Sequence, residues 1–142
     1  MGKIKVVIAG PSRGGKSTLA NALVDESSSE SIYIPTVGTR IIEVVRTSKL
    51  VEVWEIPGDL SFQHLWPVLL EGAVATIFVY STDQRKDLDH YLGLPVKNAL
   101  VIQTGKKASN DIPIPGTLGP FRVESPADFR AMFDDWIANY AN

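Results

Sequence analysis

With 142 residues, 44% of them apolar and 21% charged, the chain has the length and make-up of one globular domain over residues 1–142, which excludes a disordered or fibrous protein. Fourteen basic against sixteen acidic residues leave a formal charge of −2, so no chain-wide attraction to nucleic acid or an anionic membrane arises, and any phosphate must be held locally. Without cysteine there are no disulfides, thiolate metal sites or cysteine-linked lipids, and no apolar run approaches the ~20 residues that cross a bilayer, so the expected setting is cytosolic.

The β-branched run from Ile4 to Ala9 predicts a strand buried on both faces and ended by Gly10. Gly10-Pro11-Ser12-Arg13-Gly14-Gly15-Lys16-Ser17 then matches G-x-x-x-x-G-K-[ST] in full, and Leu19, Ala22 and Leu23 recur at helical spacing behind it. Strand, loop and helix in that order form a phosphate-binding loop. Its glycines let backbone N–H groups turn toward phosphate oxygens, the helix start adds its dipole, Lys16 offers a point charge and Ser17 a hydroxyl for Mg²⁺. Arg13, Gly14, Gly15, Lys16, Ser17 and Thr18 are the nucleotide-binding candidates from this motif. Arg13 has two readings, a finger laid across the phosphates in cis or a solvated side chain on the outer face of the loop.

The polar run Ser27 to Ser31 opens a surface loop that continues to Gly38. Arg40 to Arg46 and Lys49 to Ile56 flank Thr47-Ser48 as a hairpin, which Pro57-Gly58 ends. Trp66 to Leu70 reads as a short helix, Ala75 to Tyr80 as a buried strand, Asp83 to Leu92 as a short polar helix and Ala99 to Ile102 as a further strand. Asp111 to Pro120, rich in proline and glycine, is expected to be irregular. Phe129, Met132, Phe133, Trp136, Ile137 and Tyr140 trace one face of a final helix, with Ser125-Pro126 at its start. His64 and His90 lack a third ligand at metal spacing and read as surface groups. The element order predicts an α/β fold with a mostly parallel sheet.

Beyond the loop, Pro35-Thr36-Val37-Gly38, the hairpin, Trp54-Glu55-Ile56-Pro57-Gly58-Asp59 and Glu71-Gly72-Ala73 follow in the order and spacing of the Ras-like small GTPases, which the chain resembles over essentially its whole length. More narrowly, Gly10-Pro11, Leu19-Ala20-Asn21, Pro35-Thr36 with Gly38 and Arg40-Ile41, and Trp66-Pro67 resemble the Rab-like small GTPase of the intraflagellar transport B complex. The resemblance implies a P-loop NTPase three-layer fold, its mostly parallel sheet six-stranded with one antiparallel strand and helices on both faces. It also implies GTP/GDP and Mg²⁺ as cofactors, with Ser17 and the first switch threonine Thr36 as metal ligands. Gly58 would supply the second switch N–H, Lys106 and Lys107 would lie against the base, and Ser125 would either meet the base or serve only as the helix N-cap. Partners implied are coiled-coil subunits of the intraflagellar transport B core, met through the switch face, in cytoplasm and cilium or flagellum, with no nucleic acid and no direct membrane anchor. Ile41, Trp54, Phe62 and Trp66 are the candidate contacts, although core positions are the stronger reading for Phe62 and Trp66.

The departures from the family pattern carry their own expectations. Glu55 is one methylene longer than the usual aspartate, and Asp59 stands at the catalytic position where a glutamine orients the attacking water. An ionised carboxylate there brings negative charge toward the γ phosphate, so little or no intrinsic GTP hydrolysis is expected. Ala108 replaces the aspartate that reads guanine, which removes the best-understood source of base selectivity. Two alternatives remain, a small P-loop nucleoside or nucleotide kinase and a nucleotide-locked structural module. Six arginines, none clustered into a phosphate-clamping lid, and the hairpin speak against the kinase.

Overall fold

The fold was taken from a computed structural model, which describes residues 2–91, 93–105 and 117–140. In chain order the elements are β1 (Lys3–Ala9), α1 (Lys16–Ala22), β2 (Ile32–Ile34), β3 (Thr39–Arg46), β4 (Lys49–Glu55), a 3-10 turn over Leu60–Leu65, and α2 (Trp66–Leu69). After them come β5 (Ala73–Ser81), a 3-10 segment over Thr82–Tyr91, β6 (Ala99–Thr104), β7 (Leu118–Arg122) and α3 (Pro126–Tyr140).

Among the described residues seven strands form one sheet in the order β2-β3-β4-β1-β5-β6-β7. β3 alone runs against the others, because it pairs antiparallel with both β2 and β4 while the remaining pairs are parallel. That is one strand more than expected. The extra one arises inside the loop after α1, where Ile32-Tyr33-Ile34 lies opposite Ile41, Arg40 and Thr39 and so satisfies its backbone on the hairpin's outer edge. The hairpin turns on Thr47 and Ser48 with φ of 50° and 62°, the mirror-image geometry that matches strand twist, here made without glycine or asparagine.

The central strand β1 has β4 and β5 as neighbours, and Val6 to Ala9 are fully buried, as a strand covered on both faces requires. One apolar layer packs Leu19 and Ala20 of α1 and Leu23 at its C-terminal cap with Phe129, Phe133 and Ile137 of α3 against Ile8, Ile77 and Ile102. The opposite layer packs Trp66, Leu69 and Leu70 around α2 with Leu88 and Tyr91 of the 3-10 segment against Val7, Phe78 and Val101. The expected helix over Asp83 to Leu92 is therefore a 3-10 segment that still buries its apolar residues, with Leu92 outside the described residues. Of the stretch expected to be irregular, Leu118 to Pro120 belong to β7, and proline is tolerated there because β7 is an edge strand.

Parallel strands β1, β4, β5 and β6 all end on the same side of the sheet. The segments that follow them, beginning at Gly10, Ile56, Thr82 and Gly105, therefore converge at the carboxyl edge, where open α/β sheets place their ligands.

Candidate functional site

The loop after β1 is held from behind. Gly10 takes a φ of 141°, and a Cβ there would stand 2.0 Å from the Val79 carbonyl oxygen, so only glycine lets the chain leave β1 against β5. Lys16 Nζ donates to the carbonyls of Gly10 at 2.7 Å and Pro11 at 2.8 Å. Gln84 Nε2 donates to the Ser12 carbonyl at 2.6 Å, and Thr104 Oγ1 to the Gly14 carbonyl at 2.7 Å. The Gln84 amide oxygen in turn accepts from the Ser81 N–H at 3.0 Å, which fixes the side chain that reaches the loop. Four carbonyls of the loop are thus occupied by the protein, and the opposite side faces a cleft of about 630 Å³ lined by Ser12, Arg13, Gly15, Lys16, Ser17 and Thr18. Burial pushes the Lys16 ammonium down to about 8, with the negative charge of Glu55 acting in the other direction.

The facing wall comes from β3, β4 and the residues after β4. Gly58 lies on the loop so closely that a Cβ would fall 2.3 Å from Ser12 N and 2.5 Å from Gly10 O. Below it, Trp66 Nε1 donates to the Pro57 carbonyl at 3.0 Å, and the indole stacks on Tyr91 with ring centroids 4.2 Å apart. Asp59 accepts from the Ser61 N–H at 2.9 Å as the cap of the following turn, and the hydrogen bonds from Ser61 hold its carboxyl below the usual range. Glu55 accepts from the Ser17 hydroxyl through one carboxylate oxygen, while the other meets Arg40 Nη2 at 2.7 Å and Nε at 2.9 Å. The Ser17 hydroxyl and the Glu55 carboxylate are hard oxygen donors, the kind that suits Mg²⁺. Among the described residues no group of three or more His, Cys, Asp or Glu is placed to hold a metal.

Of the expected nucleotide residues, Arg13, Gly15, Lys16, Ser17, Thr18 and Gly58 all line the cleft, as does Asp59. Arg13 is exposed at a φ of 64°, and Gly14 lies behind the cleft near Val79 and Gln84. Thr36 sits in an exposed turn closed by the Gly38 N–H on the Pro35 carbonyl at 3.3 Å, outside the residues that line the cleft. Ser125 Oγ accepts from the Asp128 N–H at 3.2 Å, so it does cap α3, and it also lines a hollow of about 250 Å³ shared with Gly15, Thr18 and Thr104. Lys106, Lys107 and Ala108 lie outside the described residues.

Among the expected partner contacts, Ile41 and Trp54 are half-buried and opposite each other across β3 and β4, with exposed Ile32 of β2 completing the row. Lys5 Nζ lies 3.8 Å from the Trp54 ring centroid. Phe62 is half-buried and faces Gly38. Trp66 is corrected to a core residue, because its ring has no exposed surface and its N–H is spent on Pro57.

Tyr33, Arg40, Gln84 and Thr104 were missed as site residues by the sequence. Arg40 was within reach of it: a two-residue turn at Thr47-Ser48 pairs Arg46 with Lys49 and so, six steps on, Arg40 with Glu55. Tyr33 carried a fainter signal, an aromatic just before Pro35-Thr36. Gln84 and Thr104 carried none, since they reach the loop from 72 and 90 residues away.

A family model described as Roc, the Ras of Complex domain of DAP kinase, matches residues 5–100. The chain is 35% identical over 99 residues to the intraflagellar transport protein 22 homolog of Homo sapiens, covering 61% of this chain and 53% of that protein. It is 31% identical over 97 residues to intraflagellar transport protein 22 of Chlamydomonas reinhardtii, covering 62% and 50% respectively. The chain thus spans about half the length of the curated relatives it matches. Among solved structures, the G domain of the T. maritima FeoB iron transporter superposes with a TM-score of 0.71 at 20% identity over 99% of both chains. A chain of the GTP-bound T. brucei IFT22/74/81 structure superposes with a TM-score of 0.63 at 19% identity, over 98% of this chain and 97% of that one. No described helix is long and apolar enough to cross a membrane.

Proposed function

The chain belongs to the Roc family of Ras-like domains, and from that premise we propose that it is an atypical small GTPase that binds GTP and GDP and acts as a nucleotide-dependent binding subunit of the intraflagellar transport B complex. The observation that carries this is the loop itself. Gln84 and Thr104 hold its carbonyls from behind, Lys16 caps two more of them from the cleft side, and its residues line a cleft walled on the other side by Gly58 and Asp59. A polyphosphate is the ligand that such a basic, backbone-walled cleft recognises. The hollow lined by Thr18, Thr104 and Ser125 adjoins it at Gly15, where a base attached to that polyphosphate has room.

In this reading Ser17 and Thr36 would hold Mg²⁺, which would offset phosphate charge. The γ phosphate draws residues 27–38 and 57–63 into order, and the row of Ile32, Ile41 and Trp54 beside them meets the coiled-coil partner. Ionised Asp59 offers no amide to orient water and repels the γ phosphate, so the bound triphosphate is hydrolysed slowly and the chain works by binding. The intraflagellar transport relatives and the fold shared with a chain of the IFT22/74/81 structure support this assignment, and with it a location in cytoplasm and cilium or flagellum.

The test is equilibrium binding of GTP, GDP, ATP and ADP, followed by capture of a purified partner complex of 74/81 type with each nucleotide. We expect guanine nucleotides to win and the partner to prefer the GTP form by about fivefold or more. Lys16→Ala should lose nucleotide and partner together. Equal partner affinity with and without GTP would refute the switch, and equal ATP binding would refute the guanine assignment.

A further inference from the structure

Arg40 brings a positive charge into the cleft from β3, outside the phosphate-binding loop. Its place is set by the hairpin register, which puts it directly opposite Glu55, and by the cleft, which both side chains line. Two of its nitrogens meet one Glu55 oxygen at 2.7 and 2.9 Å, a third donates to Asn21 Oδ1 at 2.8 Å, and Nη2 also reaches the Ser17 carbonyl at 3.5 Å. The second Glu55 oxygen is taken by the Ser17 hydroxyl. Arg40 and Glu55 keep only 23% and 13% of their side-chain surface exposed, so water screens the pair poorly.

A guanidinium keeps its charge at any working pH, and its planar fork suits an arrangement fixed from three sides. Here it neutralises the carboxylate that stands behind the Ser17 hydroxyl. A divalent cation approaching Ser17 therefore meets a carboxylate already paired and a positive charge beside it. A polyphosphate entering the same cleft meets one cation more than Arg13 and Lys16 of the loop provide. The two effects have opposite signs for the two ligands.

Resting on the nucleotide reading above, we infer that Arg40 is a built-in counter-ion of the phosphate site: it supports nucleotide binding without Mg²⁺ and weakens the hold on Mg²⁺, so that affinity depends little on the metal. Arg40 acts through Glu55 and Ser17 as well as through its own charge. The longer Glu55 side chain is part of the device, since one carboxylate spans Ser17 and Arg40 together.

Dissociation constants of a fluorescent GDP, measured in Mg²⁺ and in EDTA, test this on the whole chain. For the wild type we expect a ratio between the two buffers of less than about tenfold. Arg40→Ala should bind more weakly in EDTA and raise the ratio by at least a further tenfold, while Arg40→Lys, which keeps the charge, should stay near the wild type. A parallel Mg²⁺ titration of the GDP complexes should saturate at lower metal concentration in Arg40→Ala. A wild-type ratio above about a hundredfold overturns the inference without any variant, as does an Arg40→Ala ratio equal to the wild type. Failure of the wild type to bind GDP in either buffer overturns the nucleotide reading and this inference with it.

Discussion

At the scale of the residue, Lys16 carries the clearest pH signature. Its buried ammonium titrates near 8, against the ordinary 10.5, because burial disfavours the charged form. Phosphate binds the protonated form, so affinity for nucleotide should be level below pH 8 and fall above it, by up to about tenfold per pH unit. Titrating fluorescent GDP between pH 7 and 9.5 checks this, and a flat profile contradicts it. The motif made Lys16 legible before any coordinates, as it did Ser17 and the loop glycines. What the motif left unread was the support behind them. Gln84, in the 3-10 segment after β5, and Thr104, at the end of β6, are ordinary polar residues, and only the order of the strands brings them to the Ser12 and Gly14 carbonyls. Trp66 shows the converse case: the sequence named it as a candidate contact while favouring a core position, and its full burial and stack on Tyr91 decide for the core.

Among the elements, the end of the hairpin, the end of α1 and the middle of α3 are joined by one ionic cluster. Arg46, 5% exposed, meets Asp25 at 2.7 Å and Asp134 at 2.8 Å and also donates to the Leu23 carbonyl. Arg130 reaches Asp25 at 3.0 Å from α3. Arg46→Ala removes the arginine from Asp134 and the Leu23 carbonyl, leaves Asp25 with Arg130 and Ser27, and should lower stability by about 2–3 kcal/mol, seen as a lower urea midpoint. Asp25 adds a pH dependence. Hydrogen bonds from Ser27, then Arg46, hold its carboxyl at about 2, below the ordinary 3.8. The unfolded chain binds that proton first, so the stabilisation is complete above about pH 4 and is lost as pH falls toward 2. Asp25→Asn should therefore be less stable than the wild type at pH 7 and equal to it near pH 2. Periodicity found β1, β3 to β6 and α3 because their burial follows one face or two. It missed β2, whose three residues are too few to show an alternation and whose pairing is decided by the strand beside it.

Across the whole molecule, stability should fall from the centre of the sheet to its edges. β1, β5 and β6 are buried and flanked on both sides, whereas β2 is three residues long, bears exposed Ile32 and Tyr33, and among the described residues pairs with β3 alone. Hydrogen exchange should rank the amides of β1 and β5 slowest and those of β2 among the fastest of the strands. Added GTP should slow exchange over residues 32–38 and 57–63 more than over α3, and equal slowing everywhere would speak for a general tightening instead of a switch.

The pillar under Pro57 gives the chain a reporter of its own. Trp66 is wholly excluded from water, its N–H is bound to the Pro57 carbonyl and its ring lies on Tyr91 at an interplanar angle of 9°. Indole emission is sensitive to each of these surroundings. Any movement of the Pro57-Gly58 segment away from the phosphate loop must break that bond or carry the ring with it, so with Trp54 and Trp136 replaced by phenylalanine the motion can be followed through the fluorescence of Trp66 alone, in real time.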